Sequence, residues 1–216
     1  MLAALAAAAA APAGAQMFSR KAKFEPGETV RFAGTVSAPG GAPLAGIDVA
    51  VEGWKRGVDV RELSFVRENR TRVTARSDER GEFTIDWTWS DEHSKFAVVA
   101  FVPYRGVDGD TEYELASVEV TKRLRDGSPV TVTLAVPSAG IAFMQRLRDF
   151  EASLVTEDEK TVYAQLGLPE RVDRTQVGDA IETAWWYFAH GRVCRFRDGV
   201  RREIQSFPPI AAESKP

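Results

Sequence analysis

The sequence has little of what most catalytic and metal-binding sites need. It contains one cysteine, Cys194, and only two histidines, His93 and His190, among its 216 residues. A single cysteine excludes an internal disulfide, and two histidines far apart in the chain argue against a histidine-based metal site. The chain also lacks a zinc pattern, a phosphate-binding loop and a dinucleotide fingerprint, so we expect no metal and no cofactor.

An excess of positive charge is missing as well. The formal net charge is -3, which provides no global positive field to attract nucleic acid, so no nucleic-acid partner is expected. After the first residues, no apolar run is long enough to span a bilayer as a helix. We therefore expect no transmembrane segment in the mature chain.

The N-terminal stretch MLAALAAAAAAPAGAQ is typical of an export signal. A small apolar run leads to Pro12 and then to the A-x-A site Ala13–Ala15. This predicts a signal peptide over residues 1–15; an alanine-rich low-complexity tail is the alternative. No cysteine lies near the cleavage site, so we expect no lipid anchor. An exported chain without an internal disulfide is more typical of a bacterial protein, and we expect this one to be periplasmic or otherwise exported.

From about residue 24 to residue 136, apolar residues alternate with a period of two. Turn signals such as Pro26-Gly27 and Asp126-Gly127 separate the alternating runs. The pattern predicts a mostly β fold, with a β-sandwich over residues 16–137. The more polar run 71–77 suits an edge strand. Four large aromatics are predicted to fill the space between the sheets: Trp54, Trp87, Phe96 and Phe101.

Part of this region resembles known domains. FEPGETVRFAGTVSAPGGAPLAGIDVAVEGW (24–54), SDERGEFTIDW (77–87) and FAVVAFV (96–102) are similar to segments of bacterial Ig-like sandwich domains of the macroglobulin and invasin type. The same Gly-x-Pro-Leu-x-Gly and Gly-x-Phe pieces, at residues 41–46 and 81–83, occur in transthyretin-like domains. Both resemblances imply a sandwich, and neither implies a particular ligand.

After Pro137 the apolar period becomes helical. Phe143, Leu147, Phe150 and Leu154 are spaced as on one helix face, and Thr156 with Glu159 forms a predicted capping box for a second helix. Three alternating runs follow, at 182–189, 192–197 and 200–207, joined by His190-Gly191 and Asp198-Gly199 turns. The sequence therefore predicts a small α+β domain over 138–210, with two helices packed on a three-stranded antiparallel meander, and a tail at 211–216.

This second half resembles the SmpA/OmlA domain of outer-membrane lipoproteins that assist barrel assembly. The resemblance is carried by VYAQLGLPERV (162–172), AWWYF (184–188) and CRFRDGV (194–200). It implies a role in outer-membrane assembly or maintenance and a possible peripheral association with that membrane.

Cys194 and His190 are the obvious candidates for nucleophilic chemistry. Alternation places Cys194 on the same strand face as Phe196, and His190 lies in a turn beyond the strand end. A nucleophile needs a base within hydrogen-bond reach and a group that orients the base. We therefore interpret Cys194 as a core residue, with a redox or intermolecular thiol and catalysis as the alternatives, and expect no enzymatic activity. Asp108, Asp110 and Glu112 in VDGDTE only partly match a calcium loop.

The C-terminal strands alternate aromatic and arginine residues. Two of the four aromatics at 185–188 should enter the core and two should face outward, beside arginines that suit carboxylate or phosphate. A solvated sheet face or a contact with the sandwich is the simpler interpretation, and a site for an acidic partner or an anionic glycan is the other. The predicted partner face consists of Trp186, Phe188, Arg195, Arg197 and Arg201.

Taken together, these features favour an exported cell-envelope protein that works through protein–protein contact or structural support, with an envelope protein as its partner. The alternative is a periplasmic module that binds carbohydrate or another small ligand, with Trp185–Phe188 as a stacking platform. Partner identity and oligomeric state do not follow from the sequence.

Overall fold

The computed structural model describes residues 24–59 and 64–210. The predicted signal peptide and the tail at 211–216 lie outside this part of the chain. The described residues are mostly β, with two α-helices placed after the seventh strand. In chain order the elements are β1 (Thr29–Ser37), β2 (Asp48–Asp59), β3 (Ser64–Arg76), β4 (Glu82–Thr88), β5 (Lys95–Gly106), β6 (Gly109–Glu119), β7 (Val130–Ala135), α1 (Ser138–Ala152), α2 (Glu157–Leu166), β8 (Arg171–Val177), β9 (Ala180–Tyr187), β10 (Arg192–Arg197) and β11 (Val200–Ser206).

The first seven strands form two sheets. One has the order β4-β1-β7, in which β1 pairs antiparallel with β4 and parallel with β7. The other has the order β3-β2-β5-β6 and is antiparallel throughout. The polar run at 71–77 falls on β3, which is an edge strand as predicted. The predicted division of the chain at residue 137 falls between β7 and α1.

The two sheets share one hydrophobic core, toward which the apolar side chains of their strands point at alternate positions. In β4, Phe83, Ile85 and Trp87 are buried while the residues between them are exposed. Trp87 contacts Phe96 of the other sheet edge to face, with ring centroids 5.5 Å apart. Burial of each such side chain contributes about 1.5–3 kcal/mol.

Two of the four aromatics predicted between the sheets lie elsewhere. Trp87 and Phe96 belong to the shared core, whereas Trp54 and Phe101 are buried outside that cluster. Phe101 instead lies under the guanidinium of Arg72, 4.0 Å from its ring centroid. Phe101 is an odd number of positions from Phe96, so strand alternation directs the two rings to opposite faces.

Both predicted helices are present, and α2 begins directly after Thr156. The capping box of α2 is present: Thr156 Oγ1 accepts from the Glu159 amide, and the Glu159 carboxylate accepts from the Thr156 amide. Thr156 Oγ1 also donates to the carbonyl of Gly199 at 2.7 Å, which ties the start of α2 to the β10–β11 turn. Gly167 ends α2 at a φ of +67° with an extended ψ of -158°, which lies outside the left-handed helical region.

The prediction of a three-stranded meander was wrong, because the third sheet has four strands in the order β11-β10-β9-β8. The extra strand, β8, pairs antiparallel with β9 across a turn at Gly178. All but one of its residues are exposed. It carries no alternating apolar signal from which it could be predicted, and its pairing with β9 defines it as a strand.

Side chains from both helices and from the third sheet form a second hydrophobic cluster. It consists of Leu147, Phe150, Val162, Leu166, Leu168, Trp185, Tyr187, Cys194 and Phe196. The cluster covers one face of the sheet and leaves the opposite face without helices. Within the described residues, no helix has both the length and the apolar character needed to cross a membrane.

The C-terminal end of β5 and the adjoining part of β6 contact the second half of the chain. The ring of Phe143 on α1 stacks on Tyr113 of β6, with centroids 3.9 Å apart, and meets Tyr104 of β5 edge to face. The Leu168 amide donates to the carbonyl of Arg105 at 2.7 Å. These contacts place the third sheet directly beside the β5–β6 hairpin.

Candidate functional site

The aromatic run at 185–188 divides between the two faces of the third sheet, as predicted. Trp185 and Tyr187 are buried in the second cluster, and Trp186 lies on the opposite face. Strand β9 ends at Tyr187, so Phe188 lies in a single 3-10 turn that folds its ring back onto Trp186. The two rings are nearly parallel, with centroids 5.7 Å apart. Phe207 completes a small aromatic group on this face.

Strand β8 supplies the group that holds Trp186. The indole Nε1 donates to Asp173 Oδ2 at 2.8 Å, and Arg171 Nε donates to Asp173 Oδ1 at 2.7 Å. Asp173 lies one strand away from Trp186, with Arg171 directly opposite Trp186 in the register. A carboxylate on the largely exposed strand β8 therefore gives the Trp186 ring on β9 a defined orientation.

Beside Trp186, the same face forms a shallow groove. Its volume is about 370 Å³, and its cationic lining comes from Arg195 and Arg197 of β10 and Arg202 of β11. The guanidinium of Arg195 lies 5.9 Å from the Trp186 ring centroid, within range of a cation–π interaction. Asp173 and Glu182 are the carboxylates of the lining. Two of the three predicted arginines, together with Trp186, thus meet at one place.

Arg201 was predicted on this face, and the structure does not place it among the residues that line the groove. A bulge interrupts the β10–β11 register between Arg195 and Phe196, so the expected alternation slips by one residue. Arg201 pairs with Phe196, whose side chain enters the core, and its amide donates to Asp158 of α2 at 2.8 Å. Arg202 takes the place in the groove that Arg201 was expected to occupy.

The three groove arginines are exposed, and none forms an ion pair with another described residue. Glu182 faces Arg197 in the register without forming an ion pair with it. Asp173 is already engaged by Arg171 and Trp186. The groove therefore presents guanidinium donors that are free to bind carboxylate or phosphate oxygens.

Cys194 is a core residue, as interpreted from the sequence. It is fully buried between the helices and the sheet, and burial raises the pKa of its thiol, with a smaller opposing effect from Arg201 and Arg192. His190 is half-buried in the turn after β9 rather than exposed. His93 is buried and hydrogen-bonded through its two ring nitrogens to the hydroxyls of Thr71 and Ser90. These positions supply no accessible nucleophile with a neighbouring base.

The acidic residues near the β5–β6 hairpin form ion pairs. Asp110 pairs with Arg105 at 3.0 Å, and Glu112 pairs with Arg72 at 2.6 Å. In the part of the chain that the structure describes, no three His, Cys, Asp or Glu side chains are grouped as metal ligands would be. Two of the three carboxylates of VDGDTE, those of Asp110 and Glu112, therefore act as partners of arginines on β5 and β3.

Three charged residues of the groove were not predicted from the sequence: Asp173, Glu182 and Arg202. Asp173 was missed because β8 shows no strand periodicity. Glu182 begins a run that was predicted as a strand, but its position opposite Arg197 depends on the register between β9 and β10, which the sequence did not specify. Arg202 was missed because a bulge leaves no signal in a short polar strand.

No family model matches the chain, and no curated protein matches it. A 9R-lipoxygenase from Cyanothece PCC8801 shows similarity at 14% identity and a TM-score of 0.32, over 53% of this chain and 17% of the lipoxygenase. The C-terminal domain of the shaft pilin SpaA from Lactobacillus rhamnosus GG shows similarity at 12% identity and a TM-score of 0.25, over 51% of this chain and 98% of that domain. TM-scores this low support no argument about fold or function.

Proposed function

We propose that this chain is an exported cell-envelope protein that binds another protein through the outer face of its third sheet. The observation that supports this most is the groove beside Trp186, where an oriented aromatic ring meets three arginines without ion pairs. Tryptophan and arginine are the residues most enriched at the energetic centres of protein interfaces. The helices already cover the opposite face of the sheet, so a partner would approach this one.

The proposal also covers the cellular location of the protein and the kind of domains that it contains. The predicted signal peptide supports export to a bacterial periplasm without lipidation. The resemblance of residues 162–200 to the SmpA/OmlA domain supports a role in outer-membrane assembly or maintenance. The resemblance of residues 24–102 supports an Ig-like or transthyretin-like sandwich as the N-terminal part. In this proposal the sandwich supports the third sheet, which binds the partner. The chain is also proposed not to be an enzyme. Burial of Cys194 supports that last point.

Carbohydrate binding has less support than protein binding. The stacking platform expected from the aromatic run loses Trp185 and Tyr187 to the core. Trp186 already stacks on Phe188 and lies beside Arg195, so its ring offers less free surface to a sugar. Binding of a sugar through stacking on Trp186 would therefore count against the proposal.

The test is capture of partners from envelope extract by the immobilised mature chain. Trp186→Ala and Arg195→Ala should each reduce capture of a defined envelope protein, because both remove groups at the centre of the groove. Arg201→Ala is the matched control, because Arg201 lies on the neighbouring strand outside the groove lining. Capture that is unchanged in the first two variants, or binding of envelope glycan with no protein partner, would contradict the proposal.

A further inference from the structure

We infer that the groove binds an extended acidic segment of its partner, whose carboxylates pair with Arg195, Arg197 and Arg202. This inference rests on the proposed function and adds the chemistry of the partner. It also assigns Arg202, which neither the sequence pattern nor any similar protein indicated, as one of the three binding cations.

The charge of the groove favours an anion. Three guanidinium groups line it, and the carboxylate of Asp173 is already shared between Arg171 and Trp186. That leaves Glu182 as the one lining carboxylate without an ion pair among the described residues. The uncompensated charge of the groove is therefore positive on a chain whose formal net charge is -3. An acidic segment would be attracted to this place and repelled elsewhere.

The spacing of the arginines fits an extended peptide. Arg195 and Arg197 are two residues apart on the same face of β10, so their Cα atoms are about 6.7 Å apart. Acidic side chains at alternating positions of an extended peptide repeat at the same distance. Each planar guanidinium can donate two parallel hydrogen bonds to one carboxylate. Arg202, on the neighbouring edge strand, extends the cationic row sideways.

The surroundings favour a peptide over other polyanions. Nucleic acid needs a wide basic surface, whereas this groove presents three arginines beside the carboxylate of Glu182. An acidic sugar would need a free aromatic face, whereas Trp186 is engaged by Phe188 and Arg195. An extended peptide can reach the three arginines through its carboxylates without stacking on Trp186.

The experiment is calorimetric titration of the mature chain with a synthetic peptide of alternating Glu and Thr residues. Its Gln–Thr counterpart tests the carboxylates, and oligogalacturonate serves as the acidic sugar. Arg202→Gln should weaken binding of the Glu–Thr peptide about fivefold, and Arg195→Gln combined with Arg197→Gln should weaken it by more than about tenfold. The matched control Arg201→Gln should change affinity less than about twofold. Raising the salt from about 50 to about 500 mM should weaken binding by the wild-type chain.

Three results would overturn the inference: equal affinity for the Glu–Thr and Gln–Thr peptides, equal loss in Arg201→Gln and Arg202→Gln, or tighter binding of oligogalacturonate than of the peptide. Circular dichroism of each variant confirms that it is folded, which these exposed positions should allow. Capture of an envelope protein that needs Trp186 but none of the three arginines would overturn the acidic-segment inference and leave the proposed function standing. Selective binding of the Glu–Thr peptide without any captured envelope protein would support the acidic specificity of the groove and contradict the proposed function.

Discussion

Asp173 holds Trp186 by a 2.8 Å hydrogen bond from the indole Nε1 to Oδ2, while Oδ1 of the same carboxylate accepts from Arg171. The aspartate lies on the outermost strand of the third sheet and the tryptophan on the next strand inward. A single carboxylate on an otherwise exposed strand thus orients the aromatic centre of the candidate site.

Replacing Asp173 by alanine should release the indole ring. We expect a stability loss of about 1 kcal/mol, the net value of a partly exposed hydrogen bond, and weaker partner binding because the ring is no longer oriented. Urea denaturation measures the stability loss, capture of the envelope partner measures binding, and a change in the near-ultraviolet circular dichroism reports the altered tryptophan environment. Asp173→Asn is the control, since its amide oxygen can still accept from the indole. Equal losses in both variants would show that the hydrogen bond does not orient the ring.

Cys194 should be unreactive in the folded protein. Burial raises the pKa of its thiol, so little of the reactive thiolate is present near pH 8. Alkylation by iodoacetamide should be slow in buffer and fast in denaturant, with the sole cysteine as an internal reporter. Cys194→Ser should lower stability by about 1–3 kcal/mol, because a hydroxyl would be buried among apolar groups. Rapid alkylation of the folded chain would contradict the core interpretation.

Stability should fall at alkaline pH. Burial raises the pKa of Tyr187, whose hydroxyl donates to the Gly167 carbonyl at 3.0 Å, and burial also raises the pKa of Cys194. Groups with a raised folded-state pKa stabilise the fold fully below their unfolded pKa, about 8.5 for cysteine and about 10 for tyrosine. That stabilisation is lost as the pH rises above those values and toward the folded pKa.

The measurement is urea denaturation at about pH 7 and about pH 10.5. Tyr187→Phe should cost about 1–2 kcal/mol at neutral pH, because the Gly167 carbonyl loses its donor, and should show a smaller loss between the two pH values. A variant with the wild-type pH dependence would exclude Tyr187 as a source of the alkaline loss.

Gly167 and Gly178 provide a matched pair for the contact between the two halves of the chain. Both have a positive φ, +67° and +63°, so alanine is strained at either position. A Cβ at Gly167 would lie 2.4 Å from the carbonyl oxygen of Arg105, whereas a Cβ at Gly178 meets nothing within 4 Å. We expect Gly178→Ala to cost about 1 kcal/mol and Gly167→Ala about 3 kcal/mol. Thermal unfolding measures the stability loss of each variant. Equal losses would mean that the backbone at the β5–α2 contact shifts to accommodate the added Cβ at little cost.

Where one rule determined local structure, the sequence was a good guide. Alternation in β4 placed Phe83, Ile85 and Trp87 inward, and the capping box positioned α2 at Thr156. The inward position of Cys194 followed from the same alternation. Each of these depends on a side-chain period or a local hydrogen bond, both of which can be read from neighbouring residues.

Features that depend on pairing between strands could not be predicted. Strand β8 consists of exposed residues and is defined by its partner β9, so it has no signal of its own. The bulge at Arg195 and Phe196 exchanged Arg201 for Arg202 in the groove. The burial of Phe101 beneath Arg72 likewise arises between strands. In all three cases the decisive contact comes from a part of the chain that local periodicity does not reach.

Strand β5 has a consequence for how the protein unfolds. Its Val102 packs against both hydrophobic clusters, and Tyr104 extends toward the helices from the same strand. Separating the chain at residue 137 would expose Tyr113 to water on one side and Phe143 on the other. The two clusters should therefore melt in a single cooperative transition, so that mechanical load or denaturant acting on the first two sheets also dismantles the proposed binding face on the third sheet.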